Sequence, residues 1–138
     1  VEVLDPAGVS LFGPGSIGEP APDAWLEAIA HWIDGQLAVG GSGIVSCSAL
    51  KRAYRRTIIG GRPGARLVYL QGDRALIGDR LSRRRHHFMP AALLQSQYGA
   101  LEEPQADERA IVVSVALTPR RVVAAIIEQL GVRPSQQD

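Results

Sequence analysis

Three short, solidly apolar runs alternate with segments whose apolar residues recur at helical spacing: Ile44-Val45-Ser46-Cys47, Leu67-Val68-Tyr69-Leu70 and Ile111-Val112-Val113-Ser114-Val115. No other feature constrains the fold as much. A strand that is apolar on both sides needs cover on both faces. Helices between strands are the crossovers that parallel pairing requires. The pattern predicts an α/β protein, a three-layer arrangement of a parallel sheet with helices on both faces. Residues 1–4 are short and apolar enough to add a further strand.

The helical segments have readable ends. Trp25, Leu26, Ile29, Trp32, Ile33 and Leu37 form one apolar stripe, with Asp23 as the expected N-cap and Gly40, Gly41 and Gly43 as the stop. Residues 49–59 read as a basic helix carrying Lys51, Arg52, Arg55 and Arg56. Asp73 is placed to cap a helix that turns Leu76, Ile77 and Leu81 inward, and Pro90 to start one that carries Leu93, Leu94 and Leu101. Thr118 and Pro119 open the last helix, Val122, Val123, Ile126, Ile127 and Leu130 face its core, and Gly131 ends it. The order is helix, strand, helix, strand, helix, helix, strand, helix.

At 138 residues, 46% of them hydrophobic, the chain is expected to be one domain. Residues 1–22 are an atypical, loop-rich segment with Gly8, Gly13, Gly15, Gly18 and four prolines. The net charge of +1 gives no global field for nucleic acid. The cations are lopsided, fourteen arginines against the single Lys51. Arginine suits phosphate and carboxylate, although an arginine-rich codon bias produces the same count. The single Cys47 excludes an internal disulfide and a multi-cysteine zinc site, and reads as a small buried hydrophobe. No apolar run approaches a membrane span and no signal-peptide pattern opens the chain, so the expectation is a cytoplasmic protein without a membrane partner.

Two constellations could carry chemistry. The first, Cys47-Ser48-Ala49-Leu50-Lys51-Arg52-Ala53-Tyr54-Arg55, runs from the end of a strand into a helix. Ligands of open parallel sheets bind at that edge, and a helix N-terminus there favours anions. Lys51 and Arg55 are four apart, so a continuous helix puts them on one face. A solvated basic face would have the same spacing. The second spans residues 80–104, where Arg80, Arg83, Arg84 and Arg85 precede His86 and His87. Such arginines can neutralise a phosphoryl group in transfer, and a charged helix end in water would look similar. Adjacent histidines without an acidic or cysteine partner make a poor metal site, so no metal ligand is assigned. Little aromatic interleaving accompanies the arginines, so no nucleic-acid partner is expected. Gly8 and Gly13 have the separation of a phosphate-binding loop, but Pro14 and Gly15 stand where Lys and Ser/Thr belong.

In combination these stretches resemble the gluconokinase family of P-loop kinases. The CSALKxxYR segment of that family is matched by Cys47, Ser48, Ala49, Leu50, Lys51, Tyr54 and Arg55. Its YLxGD segment is matched by Tyr69, Leu70, Gly72 and Asp73. The lid segment RLxxRxxHFxPxxLLxSQxxxLExP is matched by Arg80, Leu81, Arg84, His87, Phe88, Pro90, Leu93, Leu94, Ser96, Gln97, Leu101, Glu102 and Pro104. The match runs from about Trp25 to Leu130.

The resemblance implies an adenylate-kinase-like P-loop fold with a mobile lid, incomplete at its N-terminal end because the family's GVSGSGKS loop is not in this sequence. It implies ATP-dependent phosphorylation of D-gluconate to 6-phosphogluconate, with ATP and Mg2+ as cofactors. Apart from the resemblance, a homodimer is one candidate assembly. By position, Lys51 and Arg55 would be catalytic, Ser48, Lys51 and Arg55 would bind substrate, and Arg80 and Arg84 would meet the ATP phosphates. His87 and Gln97 would hold the lid in shape. The alternative is a catalytically inactive gluconokinase-like remnant or anion-binding module, to which the missing lysine of the phosphate loop points.

Overall fold

The structure, a computed structural model, describes residues 2–4, 22–83 and 91–132. The elements follow in the expected order: β1 (Glu2–Leu4), α1 (Pro22–Ala38), β2 (Ile44–Ser46), α2 (Arg52–Ile59), β3 (Val68–Gln71), α3 (Arg74–Ser82), α4 (Ala91–Ala100), β4 (Ile111–Ser114) and α5 (Pro119–Leu130). A 3-10 turn at Ala106–Glu108 precedes β4. The glycine- and proline-rich stretch and the run from Arg84 through Pro90 lie outside the described residues. The chain divides into two compact units, Val1–Ala65 and Arg66–Asp138.

The first unit is built on the apolar stripe of α1. Leu26 and Ile29, three residues apart, are 2% and 0% exposed and meet Ile58 of α2. Trp25, Trp32 and Ile33 extend that contact, with Val45 from β2 and Tyr54 and Ile59 from α2. Full burial of one such side chain stabilises by roughly 1.5–3 kcal/mol. Trp32 also explains Gly43: a Cβ there would run into the indole ring. The helix starts at Pro22, so Asp23 falls inside its first turn rather than at the N-cap. Proline has the fixed φ that suits a first helical position. Leu37, the last member of the stripe, is half-exposed near the helix end.

Arg62 ties the far ends of α1 and α2 together. Its Nε and Nη2 donate to the two carboxylate oxygens of Asp34 at 2.7 and 2.9 Å. Its Nη1 donates to the carbonyls of Thr57, Ile58 and Gly60 at the C-terminal end of α2. Those are carbonyls that a finished helix leaves without intrahelical donors, and a cation there opposes the helix dipole.

Strand β2 pairs antiparallel with β1, Glu2 opposite Ser46, Val3 opposite Val45 and Leu4 opposite Ile44. The all-parallel expectation therefore does not extend to this pair. The reason lies in the side chains of β2: Ile44 is exposed and only Val45 is half-buried, so the two-faced burial that goes with parallel strands is not imposed here.

The second unit carries the parallel pair. Strands β3 and β4 align Val68 with Ile111, Tyr69 with Val112, Leu70 with Val113 and Gln71 with Ser114. Ile111 and Val113 point to one side and are buried, and α5 packs against β4. Thr118 caps α5 by accepting from the Arg121 N–H, Pro119 takes the first turn, and Gly131 closes it at φ +68°. Only the expected two-sided burial of the strands fails: Leu70 and Val112 are about half exposed, as are Leu93 of α4 and Val123 of α5. Among the described residues this sheet has two strands.

The Asp34–Arg62 link gives a pH signature. The hydrogen bond from Arg62 holds the Asp34 carboxyl below its ordinary 3.8. A carboxylate whose pKa is depressed by folding adds stability above its unfolded pKa and loses it as pH falls through the folded value. Thermal unfolding should therefore find the native chain more stable than Asp34→Asn near neutral pH. That difference should shrink as pH drops through the carboxylate range.

Candidate functional site

The CSALKxxYR segment forms the turn between β2 and α2, and Arg55 organises it. The Arg55 side chain is 5% exposed. Its Nη1 donates to the carbonyls of Ala49 and Leu50 at 3.0 and 3.1 Å. Its backbone N–H donates to the carbonyl of Lys51 at 3.2 Å. One residue thus gathers three successive carbonyls. Ala49 sits at φ +28°, a left-handed conformation that L-residues rarely adopt. A non-glycine residue there costs on the order of 1–3 kcal/mol. Charge-assisted hydrogen bonds such as those of Arg55 contribute about 1.5–3 kcal/mol each.

This geometry alters two expectations. Helix α2 begins at Arg52, three residues later than the sequence spacing suggests, and Lys51 is its N-cap in extended backbone at φ −99°, ψ 144°. Lys51 and Arg55 consequently do not share a helix face. Lys51 is exposed, with Nζ 6.0 Å from the centroid of the Tyr54 ring, while Arg55 is buried beneath the turn. Ser48 is exposed just before it. The first turn of α2 contains no acidic residue and Lys51 makes no side-chain cap. The positive end of the helix dipole is therefore not offset locally, which favours an anion. Cys47 packs beside the core, as its sequence context suggests, and burial pushes its thiol pKa up. A thiol kept neutral is a poor nucleophile.

A second arrangement lies within the other unit, at the C-terminal end of the parallel strands, where α/β proteins place ligands. Asp73 caps α3 by accepting from the Leu76 N–H at 2.7 Å. The Tyr98 hydroxyl on α4 donates to the Gly72 carbonyl at 2.8 Å, and the Arg74 guanidinium lies 5.2 Å from the Tyr98 ring centroid. Glu103 accepts from the Tyr69 hydroxyl at 3.1 Å and from Gln71 Nε2 at 3.3 Å. The YLxGD segment and the end of the lid segment are thus two sides of one bonded arrangement. They enclose an open cleft of about 530 Å³ that also reaches Leu101 and Ser114. Tyr98 and Glu103 stand at variable positions of the motif, and their partners are 26 and 34 residues away. No local pattern in a single sequence points to such links.

Arg80 occupies the last turn of α3 and is exposed. Beside it Arg83 pairs with Asp79 at 3.3 Å. Gln97 is half-buried on α4, whereas Arg84 and His87 lie outside the described residues. The structure therefore brings Ser48, Lys51 and Arg55 together in the first unit and places Arg80 in the second. Among the described residues no three His, Cys, Asp or Glu side chains converge as a metal-ligand set, and no helix is long and apolar enough to cross a membrane. Asp34 and Asp79 are bonded to arginines, and Asp73 to a helix N-terminus.

No family model matches the chain. It is 39% identical over 116 residues to a gluconokinase of Gluconobacter oxydans (strain 621H), an alignment that covers 81% of this chain and 65% of that protein. It therefore spans slightly less than two-thirds of that relative's length. Among solved structures it is similar to a sugar kinase from Janibacter sp. HTCC2649, with a TM-score of 0.74, 38% identity, and coverage of 86% of this chain and 70% of that one. It is also similar to a gluconokinase from Sinorhizobium meliloti 1021, with a TM-score of 0.67, 36% identity, and coverage of 84% and 67%.

The second arrangement depends on Gly72. A Cβ at that position would collide with Val115 Cγ2 and come within 2.9 Å of Ile77 Cδ1. Gly72→Ala should destabilise the chain by about 1–3 kcal/mol, as overpacking does, measured as a lower urea midpoint at unchanged slope.

Proposed function

The chain belongs to the gluconokinase family, whose fold is the α/β P-loop architecture, and from that premise we propose that it serves the phosphorylation of D-gluconate by ATP. In this reading the bond between the γ-phosphorus and the β–γ bridging oxygen of ATP breaks, that oxygen leaving with ADP, the phosphoryl group bonds to the 6-hydroxyl oxygen, and the hydroxyl proton goes to solvent. The products are 6-phosphogluconate and ADP. The family implies the use of ATP. The resemblance implies Mg2+ beside ATP, where it would neutralise phosphate charge, and no step here is routed through it. The compartment proposed is the cytoplasm.

One observation carries the reading: the segment that resembles the family's CSALKxxYR folds into a rigid turn with an exposed cation at its exit. A gluconate carboxylate, or the phosphoryl group in transfer, needs such a positive partner. Lys51 is a point charge at the N-terminus of α2, so the ammonium and the helix dipole act in the same direction. The Ser48 hydroxyl is available to a sugar hydroxyl. Arg80 is our choice for a phosphate contact, joined by Arg84 on the strength of the family motif alone.

A second reading, an inactive anion-binding module, is favoured by Pro14 and Gly15 at the positions of the loop Lys and Ser/Thr. A coupled assay for 6-phosphogluconate separates the two. The kinase reading expects ATP-dependent product, with kcat/KM reduced roughly 100-fold in Lys51→Ala, the usual scale for removing a charge that stabilises a transition state. Folded chain that binds gluconate but yields no product above a blank would establish the binding module instead.

A further inference from the structure

We propose that Arg55 is a positioning residue: by holding the carbonyls of Ala49 and Leu50 its guanidinium sets where the Ser48 hydroxyl and the Lys51 ammonium meet a substrate anion. The inference rests on the gluconate reading above and divides a role that the family resemblance gives to Lys51 and Arg55 jointly.

The geometry supports the division. A guanidinium that is 5% exposed presents almost nothing to a solvent-borne ligand. Its Nη1 donates instead to two consecutive carbonyls, those of Ala49 and Leu50, while the Arg55 backbone N–H makes an ordinary helical bond to the Lys51 carbonyl. The Lys51 carbonyl also accepts from the Tyr54 N–H at 3.0 Å, so the exit of the turn is tied twice. Ala49 at φ +28° is a conformation that surrounding bonds must maintain. The turn that results is held from below and open above: Ser48 and Lys51 are exposed, and Ala49 and Leu50 between them are half-buried. Lys51 is further directed by the Tyr54 ring 6.0 Å from Nζ.

A lysine at position 55 retains the charge but ends in a tetrahedral ammonium on a shorter stem, which does not reach the place that Nη1 occupies between the two carbonyls. If Arg55 acts through Lys51, the two effects cannot be independent. The experiment is a double-mutant cycle on D-gluconate affinity, measured by calorimetry on the full chain, with circular dichroism confirming that each variant is folded. Lys51→Ala and Arg55→Lys should each weaken binding by about tenfold, and the double variant should be scarcely weaker than Arg55→Lys alone. A merely structural residue would lower the melting temperature yet leave the Lys51 effect intact, so additive losses overturn the proposal. Arg55→Gln, which keeps an uncharged NH2 group on a shorter stem, replaces Arg55→Lys if the latter does not fold.

A ligand-free readout runs in parallel. Cys47 is half-buried beside the turn, and its reaction with a disulfide reagent should accelerate in Arg55→Lys but not in Lys51→Ala. An unchanged thiol rate in Arg55→Lys overturns the brace whatever the calorimetry shows. Absence of gluconate binding in the unsubstituted chain, with an accelerated thiol rate in Arg55→Lys, sinks the gluconate reading while the brace stands.

Discussion

A buried guanidinium needs carbonyls, and in this chain the carbonyls nearest to hand belong to its own turn. Arg55 cannot leave its charge unpaired under the first unit's core. The bonds it makes hold Ala49 and Leu50 in a shape the backbone would not choose alone. From that constraint follow the late start of α2, the placement of Lys51 as a cap rather than a helix residue, and the exposure of Ser48 and Lys51. The electrostatic cost of one buried cation is thereby converted into the order of a loop.

The second unit reaches a similar end with neutral and acidic groups. Tyr98 fixes the Gly72 carbonyl, Glu103 gathers Tyr69 and Gln71, and Asp73 finishes α3. In both units motif residues hold a strand end to a helix start, Arg55 in the first and Asp73 in the second, although Tyr98 and Glu103 do so from variable positions. The segments are therefore structural statements as much as chemical ones. The CSALKxxYR and YLxGD segments each specify how the chain leaves a strand, which is where an α/β protein builds its site.

The order of elements could be read from the sequence because burial has a period. The stripe of α1, the apolar runs of β3 and β4, and the caps Asp73, Thr118 and Gly131 are all local signals, and each is found at its expected place. What could not be read were quantities set by long-range contact. Spacing alone placed Lys51 and Arg55 on one face, because nothing in a pattern of four residues reveals a left-handed Ala49. The antiparallel β1–β2 pair, the exposure of Leu70 and Val112, and the reach of Tyr98 to Gly72 depend on what lies across space rather than along the chain. The same holds for the site. Lys51 as the cation at the turn was legible, whereas the burial of Arg55 beneath it was not.

Membership of the gluconokinase family and the braced turn meet at one place, residues 48–51, and this makes the account's central claim direct to test. Backbone amide chemical shifts of the labelled chain, followed during titration with D-gluconate, report where the ligand sits without requiring turnover. The account predicts saturable shifts largest at Ser48, Lys51 and Arg52. Shifts confined to other residues, or none at all from a folded chain, would contradict it.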